Sequence, residues 1–449
     1  MHIENGFYRY ALRLAWPISL QSVLTSVLSM IDITMVSHLG DSAVAAVGLS
    51  NRFLFVIMVI LLGNAWAVGV LSAQYVGAQQ HDKIRGIIAL GCVLANLLLL
   101  PLLIWIQLGA EHIIGLGSDN LDVRDLGQHY LRIVAPSLMF VAATLAFDNA
   151  LRGLGEVKTP LLINSAAIAL NIVLNFWLIN GGLGIPALGV GGAAIATTLS
   201  RAAQLALILS VLRRRQHQLQ FRFHDLHIFQ QRTRVGSFIR LATPMMLSFG
   251  VWSTGTFVYQ IIYGNIGTRE LAVISLLTPI EGIYVSLFFG LASACSIIIG
   301  QCLGANRFDD AWRYAKQFTF VNPLLAFACG LVIFLSRDIL LRPFHDLPAE
   351  TRELASDILI VMCVFTWIKV ICMTVAMGVL RAGGDTTMVT VIDLVGMWFV
   401  GLPLTAATAL WLNWPLVWVF LVSYSEEICK CVLFIWRMRK RHWLKNLAH

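Results

Sequence analysis

The chain has 449 residues, 58% of them hydrophobic and only 12% charged, and its mean hydropathy is +0.77. Ordinary soluble domains carry roughly 25% charged residues, so this chain cannot clothe its surface in polar groups and must face lipid over much of it. Soluble enzymes, disordered chains and nucleic-acid-binding modules are thereby excluded, and the net charge of +8 calls for a topological explanation.

A lipid-spanning helix needs about 20 mostly apolar residues, and the chain read from its start offers twelve such runs. They fall near 11–38, 49–74, 86–109, 127–150, 159–181, 188–212, 237–264, 270–299, 317–336, 355–380, 389–411 and 415–436. The runs are continuous rather than alternating, which predicts helices and not barrel strands. The expected fold is an all-α integral membrane protein of twelve transmembrane helices. The first run follows Arg9 and Arg13, as a secretory leader would. Its length, the Asp32 inside it and the lack of an Ala-x-Ala site favour a retained span.

Most of the 32 Lys and Arg gather on one side of these spans, from Arg9 and Arg13 through Lys83, Arg85, Arg152, Lys158 and Arg213–Arg215 to Lys445. Arg52, Arg124, Arg132, Arg269, Arg337, Arg342 and Arg352 lie on the other, while Arg201 and Lys369 fall within spans. The positive-inside rule then places both termini in the cytoplasm, with the protein in the inner (plasma) membrane. Between the sixth and seventh runs, Phe221, Phe223, Ile228 and Phe229 sit among basic residues. This reads as a cytoplasmic linker, with contact to anionic lipid headgroups as the other reading. The eight cysteines share no external loop, so no disulfide is expected. Cys429-x-Cys431 lacks the His or carboxylate set of a metal site.

The two halves repeat. Arg13-Leu14-Ala15-x-Pro17 returns in the second half as Arg240-Leu241-Ala242-x-Pro244, and Gln74-x-x-Gly77-Ala78 returns at the same offset as Gln301-x-x-Gly304-Ala305. Leu39-Gly40 becomes Ile266-Gly267 and Asp82 becomes Asp309, again at that offset. Two positions further on in register, Leu151-Arg152 returns as Leu380-Arg381 and Gly155 as Gly384. Six spans per half make these parallel repeats, an arrangement of transporters that rock one half against the other. The expected organisation is a lobe over 1–212, a linker over 213–236 and a second lobe over 237–449 with a basic tail.

Two six-helix halves, Leu151-Arg152-Gly153-x-Gly155-x-x-x-x-Pro160, Asn171-Ile172-Val173-Leu174-Asn175 and Gly192-Ala193-Ala194-Ile195-Ala196-Thr197 together resemble the multidrug and toxic compound extrusion (MATE) transporters. The resemblance implies export of cationic or amphipathic small molecules in exchange for protons or sodium ions, without ATP or another cofactor. It implies that Asp32 couples the cation on the first helix, with Asn171 and Thr197 beside it. Asn175 stands where some archaeal and bacterial members have aspartate. Gly250 and Val370 stand where sodium-coupled members have acidic residues, which favours H+ over Na+ as the coupling ion.

A charge at mid-depth costs roughly 2.5–3.5 kcal/mol, so each intramembrane ionisable group is a functional candidate. Asp32 is the sharpest, about four turns beyond Pro17, whose missing N–H weakens the helix and permits bending. Asn171 and Asn175, at i and i+4, share a face and can donate to a carboxylate. Asp148 faces the cavity or caps the turn before Arg152. Glu281 and Asp393 are candidate substrate contacts in the second half, and Lys369 can pair with one of them. Glu426 and Glu427, close to Lys430, read as interfacial. The Trp and Phe residues read as lipid-facing, belt or packing groups.

Against the exporter stand three other classes. A lipid-linked precursor flippase of the same superfamily would need a cavity rich in Arg and Lys, a channel a filter-like loop, and an intramembrane enzyme a catalytic set such as His-Glu-x-x-His. None is evident in the sequence. A monomer whose partners are drugs and membrane lipids, and not nucleic acid, is expected.

Overall fold

A polypeptide in hydrocarbon must satisfy its backbone N–H and C=O groups internally, and a helix does so within one segment. The computed structural model describes residues 6–448 apart from 116, 183, 185, 221–227 and 341–347. Phe221, Phe223 and Arg342, named above, lie outside the described residues. The long helices are α1 (Phe7–Ser37), α2 (Asp41–Gly77), α3 (Asp82–Gly115), α4 (Leu121–Gly153), α5 (Lys158–Asn180) and α6 (Gly189–Arg214), followed by α7 (Arg232–Ile266), α8 (Thr268–Gly304), α9 (Phe308–Leu335), α10 (Ala349–Leu380) and α11 (Thr386–Trp411). The last, α12, comes in two pieces, Leu416–Ser423 and Ser425–Arg439, broken at Tyr424.

Among the described residues, α1 to α11 are each long and apolar enough to cross a membrane, and α12 completes the expected twelve. It is not counted singly because the break leaves pieces of only 8 and 15 residues, each too short to cross alone. The chain is a multi-pass membrane protein. Leu108, Phe320, Phe399 and Trp411 expose between 70% and 83% of their surface, which is tolerable only against lipid.

The chain forms two compact units. One is Leu20–Met246; the other joins Met1–Ser19 to Leu247–His449. The changeovers lie inside α1 and α7, just past Pro17 and Pro244, rather than in the expected linker at 213–236. In the first unit Leu54 and Leu61 of α2, Leu99 and Ile106 of α3, and Leu131 and Leu138 of α4 form the core. In the second, Tyr263, Leu277, Leu359, Met397 and Val419 do so.

The sequence repeat is a repeat of backbone conformation. α2 ends with Gln79 at φ 57° and α8 with Asn306 at φ 58°, left-handed residues in the same place. Gln79 N–H donates to Val76 O (3.1 Å) and Gln80 N–H to Tyr75 O (2.8 Å); Asn306 N–H donates to Leu303 O (3.0 Å) and Arg307 N–H to Cys302 O (2.9 Å). After α4 and α10, Gly155 (φ 84°) and Gly384 (φ 80°) turn the chain. Each occupies a conformation that costs a side-chain-bearing residue roughly 1–2 kcal/mol.

Small residues let α6 approach α5 closely. A Cβ on Gly192 would strike the Leu178 carbonyl oxygen and come within 2.6 Å of its carbon and 3.0 Å of Ile179 N. The neighbour is backbone and cannot swing aside. Gly192→Leu is expected to separate the two helices and cost at least the ~1–3 kcal/mol of overpacking. Gly48, where a Cβ would meet nothing within 4 Å, should as Gly48→Ala gain roughly 1 kcal/mol of helix propensity. Thermal melting of both variants in detergent checks the contrast; equal melting temperatures would contradict it.

Candidate functional site

In the Leu20–Met246 unit, α1 and α5 bring Asp32 and Asn175 together. Asn175 Nδ2 donates to Asp32 Oδ1 at 2.8 Å and to Asn171 Oδ1 at 3.0 Å. One amide thus uses both hydrogens, one on the carboxylate and one on its neighbour a turn away. Asn171, expected as a second donor to Asp32, acts at one remove: its oxygen accepts, fixing which way the Asn175 amide faces. Both asparagines are buried and Asp32 is half-buried. Thr197 of α6 donates to the Ala193 carbonyl at 2.9 Å and stands beside the Tyr130 hydroxyl, which donates to Asn51 Oδ1 at 3.2 Å.

One turn beyond Thr197, Arg201 lies within electrostatic reach of Asp32 and Tyr130. Its Nη1 donates to Ser137 Oγ at 2.8 Å. The spacing Thr197–Arg201, i and i+4 on one helix face, is the sequence signal that could have found it. Tyr130 and Asn51 carry no such signal, being united with Asp32 only by folding.

Asp148 neither caps a turn nor stands alone. Gln21 of α1 bridges it to Arg152: Arg152 Nη2 donates to Gln21 Oε1 (2.8 Å), and Gln21 Nε2 donates to Asp148 Oδ2 (3.4 Å). The second half builds a counterpart at the repeat-equivalent places. Arg381 Nη2 donates to Ser248 Oγ (2.7 Å), Ser248 Oγ donates to Asp393 Oδ2 (2.5 Å), and Arg381 lies 3.6 Å from Asp393. The carboxylate comes from a different helix in each half, while the arginine and its α1 or α7 partner keep their positions. Pro17 is buried within α1, which runs helical through it.

Two other second-half carboxylates, Glu281 and Glu426, are also matched by cations. Lys369 Nζ donates to Glu281 Oε1 at 2.6 Å, the pairing expected for Lys369. Glu426 and Lys430 form an ion pair one turn apart on α12, and Tyr259 Oη donates to Glu426 Oε2 at 2.6 Å. The interfacial reading of Glu426 is corrected: it is only 4% exposed, whereas Glu427 is half-buried. Glycines of α11 make the room. Cβ atoms on Gly401 and Gly396 would lie 2.7 Å from Glu426 Cβ and 2.5 Å from Lys430 Cγ. Tyr259 stands at the repeat-equivalent place of Asp32, so the second half carries a phenol where the first carries the acid.

Comparison with known proteins agrees with this architecture. The MatE family model matches residues 17–177 and 244–407, most of the chain. The probable multidrug resistance protein NorM of Bradyrhizobium diazoefficiens is 28% identical over 411 residues, covering 90% of this chain and 86% of that protein. Its namesake from Thermotoga maritima is 23% identical over 437 residues, 97% and 93% of the two chains. A crystal structure of MATE in complex with MaL6 shares the fold with a TM-score of 0.86 at 19% identity, over 97% of this chain and 96% of that one.

The Glu426–Lys430 pair gives a stability test. Removing one partner of a buried ion pair strands the other charge and costs about 3–5 kcal/mol, whereas removing both is far milder. Lys430→Met should therefore lower the melting temperature sharply, and adding Glu426→Gln should recover more than half the loss. A double variant no more stable than the single one would mean that Lys430 acts by packing alone.

Proposed function

The chain belongs to the MATE family of membrane transporters, and from that premise we propose that it exports cationic or amphipathic drugs in exchange for protons taken up at Asp32. The observation that carries this reading is the difference between Asp32 and the intramembrane carboxylates of the second half. Glu281, Asp393 and Glu426 are each held by Lys369, Arg381 or Lys430. Asp32 is held at hydrogen-bond distance by a neutral amide. A group already neutralised by a fixed cation gains little from a proton; one held by an amide changes the charge of its surroundings when it binds one.

Cation competition follows. The deprotonated Asp32 offers an anion to a cationic drug, with Arg201 as a fixed charge nearby that favours release of the cation. Protonation removes the anion. Drug and proton thus exclude one another at one carboxylate, which is the requirement of antiport. The multidrug resistance proteins among the relatives support the substrate class. The lack of acidic residues at Gly250 and Val370 supports H+ over Na+. The Lys and Arg distribution supports an inner-membrane location with both termini cytoplasmic, and the parallel repeat supports alternating access by two six-helix lobes.

Everted vesicles energised by a pH or a sodium gradient, with a fluorescent cationic dye as substrate, test the proposal. Dye movement should follow the pH gradient and vanish in Asp32→Asn with the protein still folded. Asn175→Ala should reduce the rate by roughly ten- to a hundredfold, the scale of a lost hydrogen bond to a charged group, about 1.5–3 kcal/mol. Asn171→Ala, one step removed, should cost less. Transport that persists without a pH gradient and stops without sodium overturns the coupling ion; full activity in Asp32→Asn overturns the site.

A further inference from the structure

Within the second unit, the segment that follows α12 folds back against the turns after α8 and α10. Trp443 is fully buried, and its Nε1 donates to Met438 O at 3.0 Å. A Cβ at Gly383 would strike the Trp443 carbonyl oxygen. Asn446 Nδ2 donates to Gly304 O at 3.1 Å and to Asn306 Oδ1 at 2.8 Å. These contacts hold Arg441 in a left-handed turn (φ 57°). The same turn follows α6 at Gln216 (φ 46°). The turn therefore belongs to the repeat, while the cation placed on it belongs to the second half alone.

Cations here rest on indoles instead of acids. Arg441 Cζ lies 4.5 Å from the centroid of the Trp312 ring, and Lys316 Nζ lies 5.7 Å from the same ring. Lys440 Nζ lies 4.0 Å from the Trp436 ring. Among the described residues none of these three cations forms an ion pair: Asp310 is taken by Arg307 and Arg313, and Asp385 by Arg437. Asp309, exposed at the start of α9, pairs with none of them. A ring face attracts a cation but does not cancel its charge. Each helix then carries an apolar stripe away from its cation, at the four-residue spacing that keeps side chains on one face. On α9, Phe320 and Leu324 follow Lys316, with Phe327 and Leu331 beyond them, all exposed. On α12, Trp436, Val432 and Ile428 lead back from Lys440, again all exposed. Thr319 Oγ1 donates to Met438 Sδ at 3.6 Å, so both stripes start from one place.

We infer that Lys316, Lys440 and Arg441 bind the phosphate of an anionic phospholipid in the cytoplasmic leaflet, whose acyl chains lie along the α9 and α12 stripes. The inference rests on the cytoplasmic placement of this end of α12 proposed above. Uncompensated cations over an apolar face match the outline of such a lipid, and indoles favour the same interfacial depth. Arg441 adds a planar fork suited to phosphate oxygens. A zwitterionic headgroup brings its own ammonium, which the three cations repel, so a headgroup of net negative charge is preferred. A free phosphate ion would meet the cations but leave the stripes uncovered, so the lipid is held more tightly than the ion.

The test uses the full chain, delipidated in a neutral detergent and titrated with phosphatidylglycerol or phosphatidylcholine of the same acyl chains. Native mass spectrometry counts the lipid bound. Phosphatidylglycerol should bind roughly fivefold more tightly or better, the pull of one interfacial cation. Lys316→Gln with Lys440→Gln and Arg441→Gln should remove most of that preference. All three positions are exposed, and glutamine already makes the equivalent turn at Gln216. Arg213→Gln with Arg214→Gln and Arg215→Gln removes the same charge from the end of α6 and should leave most of the preference in place. Equal loss in the two variants would make the preference a property of net charge and overturn the site, as would a parent chain with no preference. Phe320→Ser with Leu324→Ser keeps the cations and should weaken the binding of both lipids. Unchanged binding in that variant, or displacement of the lipid by excess inorganic phosphate, would assign the cations to a free anion and overturn the lipid. His442→Cys, in a chain whose native cysteines are replaced, should react with an impermeant maleimide only after cells are permeabilised. Labelling of intact cells would overturn the topology and the choice of leaflet, while the lipid ratios still judge the site.

Discussion

An unpaired charge in hydrocarbon is the cost around which this molecule is arranged. The second half meets it by supplying a cation for each of three acids: Lys369 for Glu281, Arg381 for Asp393 and Lys430 for Glu426. The glycines at 396 and 401 give α12 the clearance to bury its pair. In the first half, Gln21 relays Asp148 to Arg152 through two hydrogen bonds. Asp32 also has an amide as its close partner, one oriented by another amide, but it is half-buried where Asp148 is buried, and losing its charge strands no cation at hydrogen-bond distance. Under the proton-antiport reading, this is the place where the bundle leaves a charge exchangeable.

Duplication explains why the frame is shared and the chemistry is not. Turns need particular backbone conformations, and both copies keep them: Gln79 and Asn306, Gly155 and Gly384. The arginines at the ends of α4 and α10 keep their partners on α1 and α7. Side chains that do not set backbone geometry are freer to diverge. Asp32 in one copy answers to Tyr259 in the other, and the acid that Tyr259 contacts comes from α12. In the register that relates Arg152 to Arg381, the counterparts of Asn171 and Asn175 are Val400 and Leu404, with no amide to hold a carboxylate.

Much of this is legible in the sequence because the responsible forces act locally. Hydropathy locates α1 to α11, the constant offset reveals the repeat, and the i, i+4 asparagines point at a carboxylate. α12 is legible as an apolar run, but its break at Tyr424 is not. Glu426 reads as interfacial for a physical reason: an acid and a lysine one turn apart look the same on a solvated helix as in a core. What distinguishes them is a phenol on α7 and two glycines on α11, both remote in sequence. Asp148 is ambiguous because its partner Gln21 lies on α1, three helices earlier. The changeover of the compact units at Ser19 and Met246 leaves no trace, since both helices read as continuous apolar spans on either side of it.

The contrast between the halves bears on how many charges move per cycle under proton antiport at Asp32. In the second half Glu281, Asp393 and Glu426 cancel with their bases, so a proton arriving at one of them would have to break an ion pair first. Protonation at Asp32 changes the net charge of the first half by one. A single charge moved across the membrane is worth about 2.3 kcal/mol per 100 mV, a bias of roughly fifty-fold. A second coupled carboxylate in the second half would square that bias, but among Glu281, Asp393 and Glu426 it would need an acid freed from its lysine or arginine. The burial of Glu426 with Lys430 makes that freedom costly, because separating them strands two charges where water cannot reach to replace the lost partner.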